Sequence, residues 1–373
     1  MGGQAHPAGR TAERRYDAHT MSDPTIHFGW YIPTHGEGLT PADFVPPDLD
    51  LFMRVAHAAE RAGFEYALVP VAYGCYDAWI STAIMAAKTE RLKMLVAARP
   101  GLIAPTVIAK MVATFDQLTN GRVMVNLIAG GGAQEMAQDG VFLTHDERYE
   151  VMDETVQLMK RCWTEEGPVS FEGKHHRVVD AVVRPRPYQQ PHPPFYIGGI
   201  SPAAIDVGAK HADVFLFWGN TAAQVREDIV VVRARAAHFG RGDAMRYGMR
   251  FQVCVRETEA EARAAAEALI ANTTEKQRET RAGGMGQESS ADGRMRGFAE
   301  STADSDYWIS RHLYAGLTTV RHGAGVMVVG NPQQVAATLQ EYVDIGCSEF
   351  CLSGYPHDAE AERFGRLVMP YFR

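Results

Sequence analysis

The chain has 373 residues, of which 22% are charged and 46% hydrophobic, and its formal net charge is −8. These values are ordinary for a globular enzyme, and the length allows two average domains or one large α/β barrel. A chain with this negative balance lacks the basic face that sequence-independent nucleic-acid binding requires, so that function is excluded. A small anionic substrate remains compatible with the sequence if a few arginines converge.

The five cysteines are spread along the chain and form no CxxC pair. This pattern is typical of a reducing cytoplasm and offers no zinc-site spacing, so we expect a cytoplasmic protein without a metal. No apolar run approaches the ~20 residues of a membrane span. The N-terminal stretch lacks the apolar core of a signal peptide, and we expect a mobile arm over residues 1–25 and a single domain over residues 26–373.

From His27 onward, short β-rich runs alternate with longer helical patterns, and Gly, Pro or Asp marks each change. The predicted strands are His27–Pro33, Tyr66–Pro70, Lys93–Arg99, Val123–Gly130, Pro194–Gly199, Val214–Gly219, Tyr247–Thr258 and Glu349–Gly354. The predicted helices are Leu51–Ala62, Asp77–Thr89, Pro105–Leu118, Arg148–Trp163, Pro202–Ala212, Ala222–His238, Glu259–Ala271 and Pro332–Ile345. This alternation predicts a (β/α)8 TIM barrel with insertion segments. The alternative is a doubly wound open sheet, but no GxGxxG follows the first strand.

Two segments interrupt the alternation. Between Val169 and Pro187, strand-like runs are broken at Glu172-Gly173-Lys174, which predicts a β-hairpin followed by an extended link. The segment over residues 277–312 is polar and rich in glycine, and it precedes the last strand. Insertions of this length are usually functional or mobile, so we expect a lid over the barrel mouth, with a plain mobile insertion as the alternative.

In such a barrel the active site lies at the carboxyl ends of the strands. The polar groups predicted near those ends are His35, Cys75, Arg99, Asn126, Gly199, Ser201, Trp218, Arg250, Gln252, Tyr355 and His357, with Arg321 in the segment before the last strand. They include no carboxylate pair and no three metal ligands at usable spacing. Glycosidase and metallohydrolase functions are therefore disfavoured.

Arg250 and Gln252 are two residues apart on one predicted strand, so both side chains face the same side. An arginine that faces a barrel interior is costly unless it meets an anion. Together with Arg321, it could hold an oxyanion such as a sulfonate or a phosphate through charge-assisted hydrogen bonds. The alternative is that each arginine pairs with a structural Asp or Glu.

A phosphate site is predicted where Gly198-Gly199-Ile200-Ser201-Pro202 opens a helix with Ser201 as its N-cap. The backbone N–H groups of a helix N-terminus, helped by the helix dipole, suit an anion. His145 and Tyr149 lie at the start of another predicted helix and could offer an imidazole and a phenol to the same phosphate. Each motif could equally be a plain capped turn.

The sequence also shares seven motifs with a known family. They are Pro33-Thr34-His35-Gly36-Glu37-Gly38, Cys75-Tyr76-Asp77-Ala78-Trp79, Asp116-Gln117-Leu118-Thr119-Asn120-Gly121-Arg122, His145-Asp146-Glu147-Arg148-Tyr149, Pro194-Phe195-Tyr196-Ile197-Gly198-Gly199, Arg321-His322-Gly323-Ala324-Gly325 and Leu352-Ser353-Gly354-Tyr355-Pro356-His357. From about His27 to Phe372 the chain resembles the bacterial-luciferase-like flavin monooxygenases, and within them the two-component alkanesulfonate monooxygenases. The barrel predicted above is that family's fold.

The resemblance implies that reduced FMN, supplied by a separate NAD(P)H-dependent flavin reductase, reacts with O2, and that the C–S bond of an organosulfonate is cleaved to an aldehyde and sulfite. It also implies a homo-oligomer, a dimer or a tetramer. By position, it assigns a catalytic role to Arg321, Tyr355, His357 and Arg250, substrate contacts to Trp218, Gln252, His35 and Cys75, and cofactor binding to Asn126, His145, Tyr149, Gly199 and Ser201.

Two departures from the family pattern concern the substrate. Gln252 stands where these enzymes typically have a histidine, and it can form hydrogen bonds but cannot act as an acid or base. The turn after the fourth strand is Gly130-Gly131-Gly132-Ala133, whose small side chains predict a roomier mouth. Both favour a bulky, hydroxyl-bearing sulfonate such as sulfoquinovose. The alternatives are a dimethylsulfone-type monooxygenase and a flavin- or anion-binding barrel without oxygenase activity.

Overall fold

A computed structural model describes residues 25–40, 43–282 and 289–373. The predicted N-terminal arm lies almost entirely outside the described residues. The strands are β1 (His27–Tyr31), β2 (Tyr66–Val69), β3 (Lys93–Ala98), β4 (Val123–Leu127), β5 (Val169–Glu172), β6 (Arg177–Ala181), β7 (Phe195–Ile197), β8 (Val214–Trp218), β9 (Arg246–Val255), β10 (Trp308–Ser310), β11 (Leu313–Tyr314), β12 (Met327–Gly330) and β13 (Cys347–Ser353).

The helices run between and after these strands. They are α1 (Leu49–Ala62), α2 (Ala78–Ala86), α3 (Pro105–Leu118), α4 (Ala133–Gln138), α5 (His145–Thr164), α6 (Pro202–His211), α7 (Ala222–His238), α8 (Glu259–Ala271), α9 (Glu275–Ala282), α10 (Ser290–Ser301), α11 (Pro332–Asp344) and α12 (His357–Leu367). All eight predicted strands and all eight predicted helices are confirmed, with ends that shift by a few residues.

Eight parallel strands close into a barrel in the order β1, β2, β3, β4, β7, β8, β9 and β13, and β13 pairs again with β1. The TIM barrel predicted from the alternation is therefore confirmed. Strand residues alternate between two apolar clusters, as a closed barrel requires. Phe28 and Trp30 of β1 pack outward against the helices, whereas Tyr31 packs inside with Tyr66 of β2 and Tyr196 of β7.

Side-chain capping fixes where several helices begin. The hydroxyl of Thr144 caps α5 and that of Thr258 caps α8, each in a capping box with the glutamate three residues later. Asn331 forms the same kind of box at α11. At the other end of α1, Gly63 has φ of 90°, a left-handed conformation that ends the helix at little cost for glycine.

The two interrupting segments have defined structure. Strands β5 and β6 form the antiparallel hairpin predicted between Val169 and Pro187. The segment over residues 277–312 contains most of α9, all of α10 and β10, so much of the predicted polar loop is helical where it is described. Nothing in the fold tests whether it closes as a lid. No helix in the described ranges is long and apolar enough to cross a membrane.

Strand β9 belongs to two sheets at once. Its first half, Arg246–Arg250, pairs with β8 in the barrel wall, and its second half, Gln252–Val255, pairs with β12. Strands β10, β11 and β12 thus form an outer sheet that grows from the barrel at β9. The sequence did not predict β10 to β12 or helix α12, because these short elements lack a clear period.

Tight helix-to-strand packing surrounds Gly208 in α6. A Cβ at this residue would lie 2.3 Å from Cε2 of Phe215 on β8, whereas a Cβ at Gly297 in α10 would meet nothing within 4 Å. We expect Gly208→Ala to destabilise the protein by about 1–3 kcal/mol through overpacking. Gly297→Ala should stabilise it by about 0.5–1 kcal/mol because alanine is the better helix former. Urea unfolding of both variants measures this, and equal effects would contradict the packing described.

Polar groups gather at the amino ends of the barrel strands, far along β9 and β13 from their carboxyl ends. Glu349 is buried, and it accepts hydrogen bonds from Arg246 Nη1 over 2.8 Å and from the Tyr196 hydroxyl over 3.1 Å. Beside it, His27 Nδ1 lies 2.9 Å from a carboxylate oxygen of Glu65. The hydrogen bond from Glu65 outweighs burial and raises the pKa of His27.

Because the folded protein holds the His27 proton more tightly than the unfolded chain, this contribution to stability is full below about pH 6.5 and is lost as the pH rises through the folded pKa of His27. We therefore expect His27→Gln to lower the urea midpoint more at about pH 6 than at about pH 8. Unfolding titrations of the two proteins at both pH values measure it. A loss that is larger at the higher pH would contradict the assignment.

Candidate active site

The carboxyl ends of the barrel strands bring together the residues predicted for catalysis. Arg250 lies on β9 level with Cys351 of β13 and with Trp218, the last residue of β8. Its side chain is buried, and its guanidinium lies 4.9 Å from the centre of the Tyr31 ring inside the barrel. Arg250 is thus an interior arginine at the top of the barrel, as its strand parity predicts.

The hydrogen bonds of Arg250 go only to neutral oxygens. Nη1 donates to the carbonyl of Phe251 over 2.6 Å and to that of Cys351 over 3.4 Å, and Nη2 donates to the Ser353 hydroxyl over 2.8 Å. Burial lowers the pKa of Arg250, and the positive charge of Arg321 lowers it further. Among the described residues, no carboxylate lies within ion-pair distance of either arginine. The geometry therefore leaves an uncompensated positive charge at the barrel top.

Gln252 lies behind Arg250 and is fully used within the protein. Its Oε1 accepts from the Ser353 hydroxyl over 2.6 Å, and its Nε2 donates to the carbonyl of Ala324 over 3.0 Å. The side chain has no exposed surface. Direct contact of Gln252 with a substrate stays a prediction, while the structure places it as the link between Ser353 and the segment that carries Arg321.

Arg321 enters the same site from the loop before β12. Its Nη1 donates to the Tyr355 hydroxyl over 3.1 Å, and its Nε donates to the carbonyl of His322 over 3.3 Å. The Tyr355 ring in turn lies 4.9 Å from the ring of His357, centre to centre. Tyr355 and His357 follow β13, so the last strand delivers a phenol and an imidazole beside the arginine, as the sequence predicts.

His357 is held by a carboxylate that the sequence interpretation left without a role. Glu37 accepts a hydrogen bond from His357 Nδ1 over 2.7 Å and another from the backbone N–H of the same residue. This fixes Nδ1 as the protonated nitrogen of the neutral ring and leaves Nε2 as an acceptor. Nε2 is buried and has no partner among the described residues. An orphaned buried nitrogen at this place suits a bound substrate or cofactor.

Competing effects set the protonation of this pair. Burial lowers the pKa of His357, and although Glu37 opposes this, Arg321 and Arg250 act with burial. Burial raises the pKa of Glu37, but the hydrogen bonds from His357 and the charge of Arg54 outweigh it, so the carboxyl has a pKa below its usual range. Near neutral pH the pair is therefore a carboxylate beside a neutral imidazole.

Two further predicted residues line this group. The Tyr31 hydroxyl lies 3.3 Å from Nδ1 of His35, and the Tyr31 ring is 5.9 Å from that of His357. Solvent reaches the His35 ring, yet the barrel walls, Arg321 and His357 still lower its pKa. Burial raises the pKa of the Cys75 thiol despite a hydrogen bond with Thr34, so this thiol is neutral at physiological pH.

The residues predicted to bind the cofactor form a second group. The ring of His145 lies 5.1 Å from that of Tyr149, and the Tyr149 hydroxyl hydrogen-bonds the Ser201 side chain. Ser201 caps α6 by accepting from Ala204 N–H over 3.2 Å. Gly199 has φ of 134°, and a Cβ there would lie 3.4 Å from the Tyr149 hydroxyl.

This second group fits a phosphate-bearing cofactor. Gly199 keeps the backbone open in front of the N-terminus of α6, and the two hydroxyls and the imidazole stand beside it. Hydroxyl, imidazole and helix N–H groups are the donors that bind phosphate. Asn126, on β4, is buried level with Tyr196 of β7 and completes the predicted set. Among the described residues, no cluster of His, Cys, Asp and Glu could hold a metal ion.

A family model gives the decisive comparison. The model described as luciferase-like monooxygenase matches residues 26–349, which is most of the chain. The chain belongs to the luciferase-like monooxygenase family. This agrees with the resemblance read from the motifs, whereas the alkanesulfonate branch named there is finer than the family match.

Solved structures share the luciferase-like fold at low identity. A riboflavin lyase (RcaE), crystallised with modified FMN and riboflavin, superposes with a TM-score of 0.78 at 19% identity, covering 93% of this chain and 91% of the other. DmoA from Hyphomicrobium sulfonivorans gives 0.75 at 20% identity, with 93% and 87% covered. EDTA monooxygenase (EmoA) from Chelativorans sp. BNC1 gives 0.70 at 18% identity, with 93% of both chains covered. At these identities the likeness establishes the fold alone.

The loops of this luciferase-like barrel are joined by a buried ion pair that sequence reasoning missed. Arg99, after β3, lies 2.5 Å from Glu135 of α4, and the same carboxylate accepts from the backbone N–H groups of Tyr73 and Gly131. Arg99 is thus the structural type of arginine, paired with a glutamate. One side chain holds three of the loops that surround the mouth.

The glycine turn after β4 is shaped by its own neighbour. Gly130 has φ of 96°, and a Cβ there would lie 2.3 Å from Sδ of Met136, which is buried in α4. The space that a larger residue would need at Gly130 is already taken by Met136. The small residue at this position is explained by packing, and it adds no room to the mouth.

Proposed function

We propose that this protein is a two-component, reduced-FMN- and O2-dependent monooxygenase that cleaves the C–S bond of an organosulfonate to give an aldehyde, sulfite and water. A flavin-type monooxygenase follows from the family. The organosulfonate is our inference from the site. The observation that carries it is Arg250, a buried guanidinium without a carboxylate partner among the described residues, in one contact network with Arg321, Tyr355 and His357.

A sulfonate suits this network for a simple electrostatic reason. Its three oxygens share one negative charge and can accept from both guanidinium groups, which bind oxyanions better than isolated ammonium groups do. A neutral sulfone would leave the Arg250 charge buried and uncompensated. The partners of Arg250 and the cluster around it therefore favour the anionic substrate class over the dimethylsulfone-type alternative.

FMN fits the second group of residues. Tyr149, Ser201 and the N-terminus of α6 would hold its phosphate, with His145 beside them and Gly199 leaving the backbone accessible. When bound, reduced FMN supplies the electrons with which O2 is activated. His35 and Cys75 would lie against the ring, and the neutral thiol of Cys75 and the neutral imidazole of His35 add no charge there.

The protein's own groups handle the anion and the protons. Arg250 and Arg321 orient the sulfonate, and Trp218 closes the wall beside Arg250. The His357 Nε2 atom, kept unprotonated by Glu37 at Nδ1, can take a proton from a reacting group, and the Tyr355 hydroxyl can donate one. Burial of the arginines and the histidine excludes bulk water from these steps.

Sulfoquinovose is our proposed substrate within this class. The support is now narrower than the sequence suggested, because Gln252 is used internally and Gly130 is filled by Met136. What remains is that a glutamine replaces an ionisable residue behind Arg250, so the site offers a polar, uncharged environment there. A hydroxyl-bearing substrate is compatible with it.

The test is a product assay with purified protein, reduced FMN from any flavin reductase, O2, and methanesulfonate, octanesulfonate, sulfoquinovose and dimethylsulfone in turn. Sulfite from sulfoquinovose alone supports the full proposal. Sulfite chiefly from the alkyl sulfonates keeps the reaction and replaces the substrate. Turnover of the sulfone alone contradicts the role of the arginines, and no oxygen-dependent turnover of any member contradicts the monooxygenase.

We propose two partners as well, a flavin reductase that delivers reduced FMN transiently and a second copy of the same chain. Helix α2 supports self-association, because Ile80 and Ile84, one turn apart on the same face, are 66% and 40% exposed. Light scattering on the purified protein, and on Ile80→Asp, tests this. A monomer for the unaltered chain would contradict it.

A further inference from the structure

A buried ion pair stands behind the segment that carries Arg321. Arg281 in α9 and Asp292 in the first turn of α10 have side chains that are each 3% exposed. Arg281 donates from Nη2 to Oδ1 over 3.0 Å and from Nη1 to Oδ2 over 3.1 Å, and Arg296 adds a contact of 2.7 Å to Oδ2. Removing these charges from water is costly, so their other contacts indicate what the pair is for.

Those other contacts converge on three consecutive residues. Arg281 Nε donates to the carbonyl of Arg321 over 2.6 Å, and Nη1 lies 3.2 Å from Nδ1 of His322. The backbone N–H of Gly323 donates to Asp292 Oδ1 over 3.4 Å. The pair therefore holds the backbone on both sides of His322.

The segment needs this support. Gly323 has φ of 81°, a left-handed conformation, and the side chain of Arg321 contacts only its neighbour's carbonyl and the Tyr355 hydroxyl among described residues. Arg321 is half-buried and has no carboxylate that would fix it from within the described site. Its position is therefore set mainly through its backbone.

We propose that Arg281 and Asp292 are positioning residues for Arg321. They fix the backbone from Arg321 to Gly323 so that the guanidinium reaches Tyr355 beside the Arg250 site. The effect on the loop is independent of the reaction, whereas the effect on turnover rests on the proposed function.

Hydrogen exchange tests the effect on the loop. We compare unaltered protein, Asp292→Asn and Asp228→Asn by mass spectrometry of peptides that cover residues 316–326. Asp228 is the matched control, because it pairs with Arg294 of the same helix over 2.6 Å without contacting residues 321–323. We expect about tenfold faster exchange in this peptide for Asp292→Asn and no change for Asp228→Asn. Unchanged exchange in Asp292→Asn, or an equal change in both variants, would overturn the proposal.

A double-mutant cycle tests the effect on catalysis. Asp292→Asn should lower kcat/KM for the sulfonate about tenfold in the unaltered protein, but less than about twofold in the Arg321→Ala background. Equal losses in both backgrounds would mean that Asp292 acts on stability alone. If no sulfonate is turned over, the proposed function fails, while the exchange experiment still decides the positioning role.

Arg281→Lys provides a second variant in case Asp292→Asn does not fold. Lysine keeps the positive charge toward Asp292 but cannot reach that carboxylate, the Arg321 carbonyl and the His322 ring together. We expect the same faster exchange over residues 316–326. Exchange like that of the unaltered protein would overturn the role of Arg281.

Discussion

Arg250→Ala should lower kcat/KM for an organosulfonate by roughly 10³-fold, about 4 kcal/mol of transition-state binding. This is the magnitude of two charge-assisted hydrogen bonds lost from a buried site. Arg250→Lys should lose less, because it keeps the charge without the forked geometry. Steady-state sulfite release measures both variants, and FMN binding, followed by fluorescence quenching, should stay within about twofold of the unaltered protein.

The matched control is Arg263→Ala. Like Arg250, Arg263 stacks over an aromatic ring, 3.5 Å from the centre of Trp308, and donates to a backbone carbonyl, that of Arg311. It lies on α8 and has no contact with the proposed site. An equal loss in both variants would show that the effect of Arg250 is general destabilisation. An unchanged rate in Arg250→Ala would rule out the anion-binding role on which the proposed function depends.

Glu37→Gln should lower kcat by roughly 10²-fold, the usual size of a general acid–base contribution. The carboxylate fixes the His357 ring through Nδ1 and raises the His357 pKa against burial, which lowers it. Loss of the negative charge therefore lowers that pKa further. If His357 acts as a base, the acidic limb of the kcat–pH profile should move to lower pH in this variant.

Glu65→Gln is the control for this change. Glu65 also binds a histidine Nδ1, that of His27, but at the amino ends of the strands. We expect its kcat and pH profile to match those of the unaltered protein. A limb that stays in place in Glu37→Gln, or moves to higher pH, would show that His357 is not the titrating group.

Much of the barrel could be predicted because its signals are local. The alternation of apolar runs with helical patterns places all eight barrel strands, and capping residues such as Thr258 and Asn331 mark helix starts in the sequence itself. The outer sheet could not be predicted, since β11 has two residues and β12 four, and their pairing depends on the second half of β9. The helical content within residues 277–312 was missed because its polar composition is also typical of a loop.

For the site, parity along a strand was enough to place Arg250, and proximity to β13 was enough for Tyr355 and His357. The partners that define their chemistry come from distant parts of the chain. Glu37 reaches His357 across 320 positions, and Ser353 meets Gln252 across 101. Such pairs depend on the register of closed strands, which no single-sequence pattern specifies.

The dual pairing of β9 makes the outer part of this protein an exchangeable module. Residues Arg246–Arg250 stay locked in the barrel, while Gln252–Val255 carry the sheet formed by β10 to β12. A recombinant that replaces residues between α8 and α11 cuts no barrel strand, yet it changes the loop that presents Arg321 a short way along the peptide from Arg250. Substrate range in this scaffold can therefore diverge by swapping one continuous stretch of gene while the cofactor end of the barrel is inherited intact.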